Sequence, residues 1–253
     1  MAGDARRRAT GVLLVGGESK RFGSPKAQAT YEGLLGLRPG AAPFVLTRAG
    51  CAGTQRFAAT WTGDNRSTWT HLRLALRLML GLGLSCYPFV GSDVGGFSGR
   101  CEPELYARWI QLGAFSPFFR THYAGAATPH RQEPWSFGRK VEGVAREAIR
   151  LRHELLDETL AAFERHVATG LPVMRALAVD FQDDERALAT DDEFLWGDSL
   201  LVAPVLRKGA RRRRVYLPAG EWTDHWTGRR YEGPRGVLVE APLERIPLFR
   251  REI

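Results

Sequence analysis

Between residues 44 and 123, short apolar runs alternate with longer helical ones, and a polar side chain follows closely on each apolar run. Residues 44–47 precede Arg48; 57–61 precede Gly63, Asp64 and Asn65; 88–90 precede Gly91, Ser92 and Asp93; 115–119 precede Arg120 and His122. Between the second and third runs, Ser67 or Thr68 can cap a helix reaching about residue 82, with Leu72, Ala75, Leu76 and Met79 on one face. Pro103 opens another through Leu112, because proline suits the first helical turn. Strands separated by helices make βαβ units and a parallel sheet. In a (β/α)8 barrel the C-terminal strand ends hold the active site, and here four polar positions share that register.

Residues 139–169 read as one amphipathic helix, with Val141, Val144, Ala145, Ala148, Ile149, Leu155, Leu156, Leu160 and Phe163 three or four apart. From about Pro172 the pattern changes to short strands broken by Gly, Pro and Asp. The expected organisation is an N-terminal segment (1–27), an α/β region (28–171) and a β-domain (172–253).

With 44% hydrophobic and 25% charged residues, collagen-like and disordered classes are excluded. No apolar run approaches the ~18 residues of a membrane span. Arg6, Arg7 and Arg8 precede an apolar run of only residues 11–15, short of the ~7–15 of a secretory core, so a cytoplasmic location is expected. Cys51, Cys86 and Cys101 are odd in number and lack metal-ligand spacing, so neither a disulfide framework nor a zinc site is expected. The net charge of +8 comes mostly from arginine, since lysine stands only at 20, 26, 140 and 208. The one dense basic run, 211–214, lies between apolar stretches where a hairpin loop is expected. No nucleic-acid-binding module accompanies it, and no nucleic-acid partner is expected.

Asp64, after Gly63 and near the apolar wall of Trp61, suits a general acid, because such a wall raises a carboxyl pKa. It equally suits a helix cap. Asp93, flanked by Gly91, Gly95 and Gly96, can accept hydrogen bonds from sugar hydroxyls or stabilise a turn. Arg120 and His122 suit a polyol or an anion. Phe97, Phe118 and Phe119 can stack on a sugar or fill the core.

Residues 28–253 resemble glycoside hydrolase family 31, the family of α-glucosidases and α-xylosidases. The resemblance rests on 29–34 (ATYEGL), 43–50 (PFVLTRAG), 61–65 (WTGDN), 90–97 (VGSDVGGF), 108–122 (RWIQLGAFSPFFRTH), 194–205 (FLWGDSLLVAPV) and 215–226 (VYLPAGEWTDHW). It implies strands five to eight of a truncated (β/α)8 TIM barrel, followed by an antiparallel β-sandwich-like domain. It implies a retaining α-glycosidase with no cofactor and no metal, acting on an α-linked oligosaccharide or α-glycoside. It places Asp64 at the acid/base position, Arg48 at a substrate-binding arginine, and Trp61, Asp93, Phe97 and His122 around the −1 sugar.

The family's nucleophilic Asp lies at the end of the fourth strand, and the acids before Arg48 are only Asp4, Glu18 and Glu32, none in that motif. The expectation is therefore a form that lacks its nucleophile. It would be without measurable turnover alone and prone to self-association through open barrel edges. Residues 11–27 carry a second likeness. Gly16, Gly17, Ser19, Arg21, Gly23 and Lys26 form a GGxSxRxGxxK pattern that resembles the phosphate loop of molybdenum-cofactor guanylyltransferase-type nucleotidyltransferases. A nucleotidyltransferase-like fragment, or a carbohydrate-binding remnant, are the alternatives.

Overall fold

A computed structural model describes residues 12–15, 25–125 and 131–252. They divide into two compact units between Trp61 and Thr62.

The first unit holds β1 (Val12–Val15), α1 (Pro25–Leu37), β2 (Phe44–Thr47) and β3 (Ala59–Trp61). All three strands run parallel, with Val12 opposite Phe44 and Leu46 opposite Ala59. Parallel neighbours need a crossover, and α1 supplies it between β1 and β2. The third strand is shorter than the expected 57–61. Phe57 instead ends a 3-10 turn (Thr54–Arg56) and packs edge-on against Tyr31, ring centroids 5.7 Å apart.

The second unit begins with α2 (Trp69–Leu84), β4 (Val90–Gly91) and α3 (Pro103–Ala114). Thr68 caps α2, its side chain accepting from the His71 amide at 3.2 Å. Leu72, Ala75, Leu76, Met79 and Leu80 bury one face of α2. The expected strand at 115–119 does not form a regular ladder. That stretch runs alongside β4 through Phe118 N to Val90 O (2.8 Å), Val94 N to Arg120 O (3.1 Å) and a single parallel bridge, Asp93 to Arg120. Phe115 and Phe118 are buried, so its apolar character reflects core packing.

The expected single helix of 139–169 is two: α4 (Arg139–Glu154) and α5 (Leu156–Thr169). Leu155 makes the turn between them, and the buried line continues as Leu151, Leu155, Thr159 and Ala162. Leu156 and Leu160, expected on that line, face solvent at 49% and 53% exposure.

The chain then builds a six-stranded antiparallel sheet from β5 (Met174–Ala176), β6 (Phe194–Trp196), β7 (Leu200–Val202), β8 (Arg212–Asp224), β9 (Arg230–Glu240) and β10 (Leu248–Arg251). The order is β5-β6-β7-β10-β8-β9. Short helices α6 (Leu177–Asp180) and α7 (Glu185–Leu188) join β5 to β6. Side chains alternate across a strand, and this sorts the apolar runs into two cores. Phe194, Trp196, Leu200, Val202 and Leu248 join α2 to α5, whereas Leu195, Leu201 and Phe249 join Val215, Leu217 and Trp222. The sandwich-like expectation thus takes the form of one sheet buried on both faces. The boundary expected at 171/172 lies inside this unit. The basic run 211–214 is not a loop; residues 212–214 open β8.

Arg108, 1% exposed, joins the helices to the sheet. Its terminal nitrogens donate to Gln111 Oε1 and to the carbonyls of Ala210, Ala241, Pro242 and Arg245. Burial holds its pKa down at about 10.

Candidate active site

In the first unit, β2 and β3 end together. Thr60 Oγ1 donates to Thr47 O at 2.7 Å, so exposed Arg48 and half-buried Trp61 leave the same end of two parallel strands.

The second unit assembles the other candidates. Gly63 takes a φ of +84°, which turns the chain and presents Asp64 to solvent. Asn65, buried at 3%, ties this loop to the next: Thr62 Oγ1 donates to its Oδ1 at 2.8 Å, and its carbonyl accepts from Phe97 N (2.7 Å) and Ser98 N (3.1 Å). Because Thr68 provides the α2 cap, Asp64 is not the capping residue.

Asp93 is fully buried. Arg120 Nε donates to its Oδ1 at 2.6 Å, while Oδ2 accepts no hydrogen bond among the described residues. Burial pushes the Asp93 carboxyl up; the Arg120 bond and charge, and the charge of His122, pull it back, and the charge of Asp64 adds to the rise. Asp64 and His122 therefore each lie within electrostatic reach of Asp93. The Phe97 and His122 rings face each other at 5.4 Å and 32°. Ala124 N donates to Phe97 O at 2.8 Å, which joins the two segments that carry them.

The glycines between these residues are steric requirements. A Cβ on Gly91 would stand 1.9 Å from Phe118 O, and one on Gly96, at φ +90°, 2.6 Å from Ser67 N. Gln132, buried at 4%, donates through Nε2 to Val94 O (2.9 Å) and Gly96 O (2.7 Å) and so holds the loop between Asp93 and Phe97. Ser92 Oγ accepts from Trp109 Nε1 at 3.0 Å. The sequence offered no signal for Gln132, since a single polar residue in a loop has no periodicity. The glycine density of 91–96 is the local sign that some neighbour approaches closely. Phe118 belongs to the core and packs on Phe89 at 6.1 Å.

Among the described residues no three His, Cys, Asp or Glu side chains converge as a metal set, the three cysteines are free, and no helix is long and apolar enough to cross a membrane. Of the glycine-rich segment, Gly16, Gly17, Ser19, Arg21 and Gly23 lie outside the described residues, as do Asp4 and Glu18. Lys26 is exposed in the first turn of α1. Glu32 is on α1, where its Oε1 accepts from Gln28 at 2.8 Å.

A family model described as the glycosyl hydrolases family 31 TIM-barrel domain matches residues 19–161, and one described as the glycosyl hydrolase family 31 C-terminal domain matches 170–252. Alpha-glucosidase 2 of Bacillus thermoamyloliquefaciens is 46% identical over 91% of this chain and 29% of its own length. Neutral alpha-glucosidase AB of Sus scrofa is 44% identical over 88% of this chain and 24% of its own. Among solved structures, a Flavobacterium johnsoniae family 31 dextranase complexed with glucose superposes with a TM-score of 0.85, at 34% identity over 89% of this chain and 29% of that one. A family 31 alpha-xylosidase from a soil metagenome, complexed with xylose, gives 0.82, at 35% identity over 89% and 37%. The chain thus spans between 24% and 37% of the length of these relatives. The barrel match starts at residue 19, inside the glycine-rich segment, so Ser19, Arg21, Gly23 and Lys26 fall within it and the nucleotidyltransferase likeness gains no support.

Proposed function

The chain belongs to glycosyl hydrolase family 31, and from that premise we propose that it carries the sugar-binding and proton-donating part of an α-glycosidase site. The observation that carries this reading is the buried Asp93 carboxylate, anchored at Oδ1 and open at Oδ2. An unpartnered buried oxygen costs about 1–3 kcal/mol. A hydroxyl donated by a bound sugar would offset that cost. Phe97 and His122 supply a ring surface beside it, and Asp64 supplies an exposed carboxyl on a sharp turn. Asp64 protonates the leaving glycosidic oxygen and later activates water, while Asp93 orients hydroxyls. Arg48 and Trp61, at the ends of β2 and β3 in the first unit, stand at substrate-binding positions by their likeness to the family. The substrate is an α-glucoside or α-xyloside, the two sugar classes named for the relatives.

Retaining hydrolysis needs two carboxyl groups ~5–5.5 Å apart across the anomeric carbon. Asp93 is committed to Arg120, and Glu32 belongs to α1. A general acid alone contributes only about 10²–10⁴-fold. The 253 residues therefore bind sugar without measurable turnover, and a family 31 segment supplying a nucleophilic Asp restores it.

The test pairs calorimetry with glucose and xylose against nitrophenol release from aryl α-glucosides and α-xylosides. Saturable binding, lost in Asp93→Ala, supports the sugar site. Turnover only on complementation, abolished by Asp64→Asn, supports the proton role. No sugar binding at all, or robust turnover by the chain alone, would overturn the corresponding half. Self-association belongs to the same reading: Leu156, Leu160 and Val167, at 49%, 53% and 85% exposure, line α5 toward solvent. A monomer in sedimentation at 0.1 to 1 mg/ml would refute it.

A further inference from the structure

The basic residues of 207–214 divide into two groups by partner. Lys208 bonds Glu102, Arg211 bonds Glu104, Arg212 bonds Glu240 at 2.8 Å, and Arg213 bonds Asp192 at 2.8 Å. Arg207 and Arg214 remain, and their side chains have no hydrogen bond or ion pair among the described residues. Both line a single hollow of about 210 Å³. A third arginine without such a partner, Arg73, enters the same hollow from α2, and Arg212 and Arg213 border it as well.

Five guanidiniums meet there, and the carboxylates paired with them among the described residues are Asp192, Glu193 and Glu240, which leaves an excess of at least two positive charges. Crowded like charge works against a compact fold unless something neutralises it. The unpaired members come from two elements distant in sequence, so their convergence is a product of folding and not of a basic run. Arg forks match the oxygens of a tetrahedral dianion in pairs. The hollow has room for it: at about 30 Å³ per water, 210 Å³ is roughly seven waters.

We propose that Arg73, Arg207 and Arg214 form a binding site for a phosphate-type oxyanion, either the free ion or the terminal group of a phosphate ester. The site does not depend on the glycosidase reading, since none of its residues belongs to the sugar site.

Calorimetry and thermal melts of the 253-residue chain test this at ionic strength held constant with chloride. Inorganic phosphate, glucose 6-phosphate and glucose are the titrants. One saturable site for phosphate with Kd below about 1 mM is expected, and ligand bound only by the folded state raises the melting temperature. Equal affinity for both phosphates assigns the bare oxyanion; tighter glucose 6-phosphate binding with glucose inert in this assay assigns an ester. The double variant Arg207→Ala with Arg214→Ala weakens binding at least tenfold, and Arg73→Ala does so separately. Arg211→Ala, which removes an arginine outside the hollow, leaves affinity within twofold. Absence of saturable phosphate binding, an equal melting shift with added chloride, or equal loss in Arg211→Ala would overturn the proposal. So would retention by heparin without phosphate binding, which would mean diffuse charge. A double variant that fails to fold moves the decision to the separate Arg73→Ala measurement.

Discussion

Asp93 and Glu193 are both buried carboxylates that face an arginine, one in the loop after β4 and the other just before β6. Arg120 Nε lies 2.6 Å from Asp93, and Arg213 Nη2 lies 3.4 Å from Glu193. Burial raises both carboxyls, Glu193 to about 8. Their remaining bonds differ. Both oxygens of Glu193 accept from Tyr216 N at 3.0 Å, which ties β8 to the start of β6. Asp93 Oδ2 accepts no hydrogen bond among the described residues. A buried charge whose acceptors are all used inside the fold is architecture. One that keeps an acceptor open, near a tilted pair of rings and a second carboxyl, is prepared for a ligand. Arg108 and Arg120 repeat the contrast: the first is consumed by carbonyls, while the second orients a carboxylate.

The sharpest break of that comparison is Arg108→Met. It leaves several buried carbonyls without donors at the join between helices and sheet. A buried acceptor left without its donor costs about 1–3 kcal/mol, and with several carbonyls affected urea melts are expected to show a loss above about 3 kcal/mol. A loss under 1 kcal/mol would mean that water replaces the guanidinium.

Next comes the pH dependence of Glu193. Its folded pKa lies above the unfolded value of about 4.3. The stability it contributes is present below the unfolded pKa and disappears as pH rises through about 8. Stability therefore falls from pH 5 to 8, by no more than about 1.4 kcal/mol per pH unit. Glu193→Gln flattens that slope, and denaturant melts at pH 5, 6, 7 and 8 check it. Parallel curves for the two proteins would remove Glu193 as the source.

Asp93→Asn is a smaller change to the fold. The partner Arg120 retains 16% exposure, so its charge keeps access to water. A cost of about 1–2 kcal/mol is expected, together with at least tenfold weaker sugar binding. Intact binding would place the open oxygen outside the sugar site.

Asp64→Asn is the smallest in stability. An exposed residue on a turn usually moves it within about 0.5 kcal/mol. Its effect is confined to proton transfer, read as lost turnover in the complemented enzyme. A melting shift comparable to that of Arg108→Met would make Asp64 structural.

Local chemistry accounts for much of this. The helix beginning after Thr68, the helix opened by Pro103, and the turns at Gly63 and Gly91–Gly96 follow from capping, ring constraint and positive φ, all properties of adjacent residues. The polar residues at the strand ends were equally visible, because a strand followed by a glycine-flanked Asp needs no knowledge of distant chain. Other features depend on partners far away in sequence. Apolar runs such as 194–196 and 200–202 carry no hint of which side chains face which core; that division exists only once the sheet is covered on both faces. The bend at Leu155 exposes Leu156 and Leu160, although helical spacing alone would bury them. Arg120 on Asp93, Gln132 on the glycine loop and Arg108 on four carbonyls are long-range hydrogen bonds. Their donors look like ordinary polar residues until packing removes water from around them, and it is that desolvation, not residue type, that turns them into fixed points of the fold and the site.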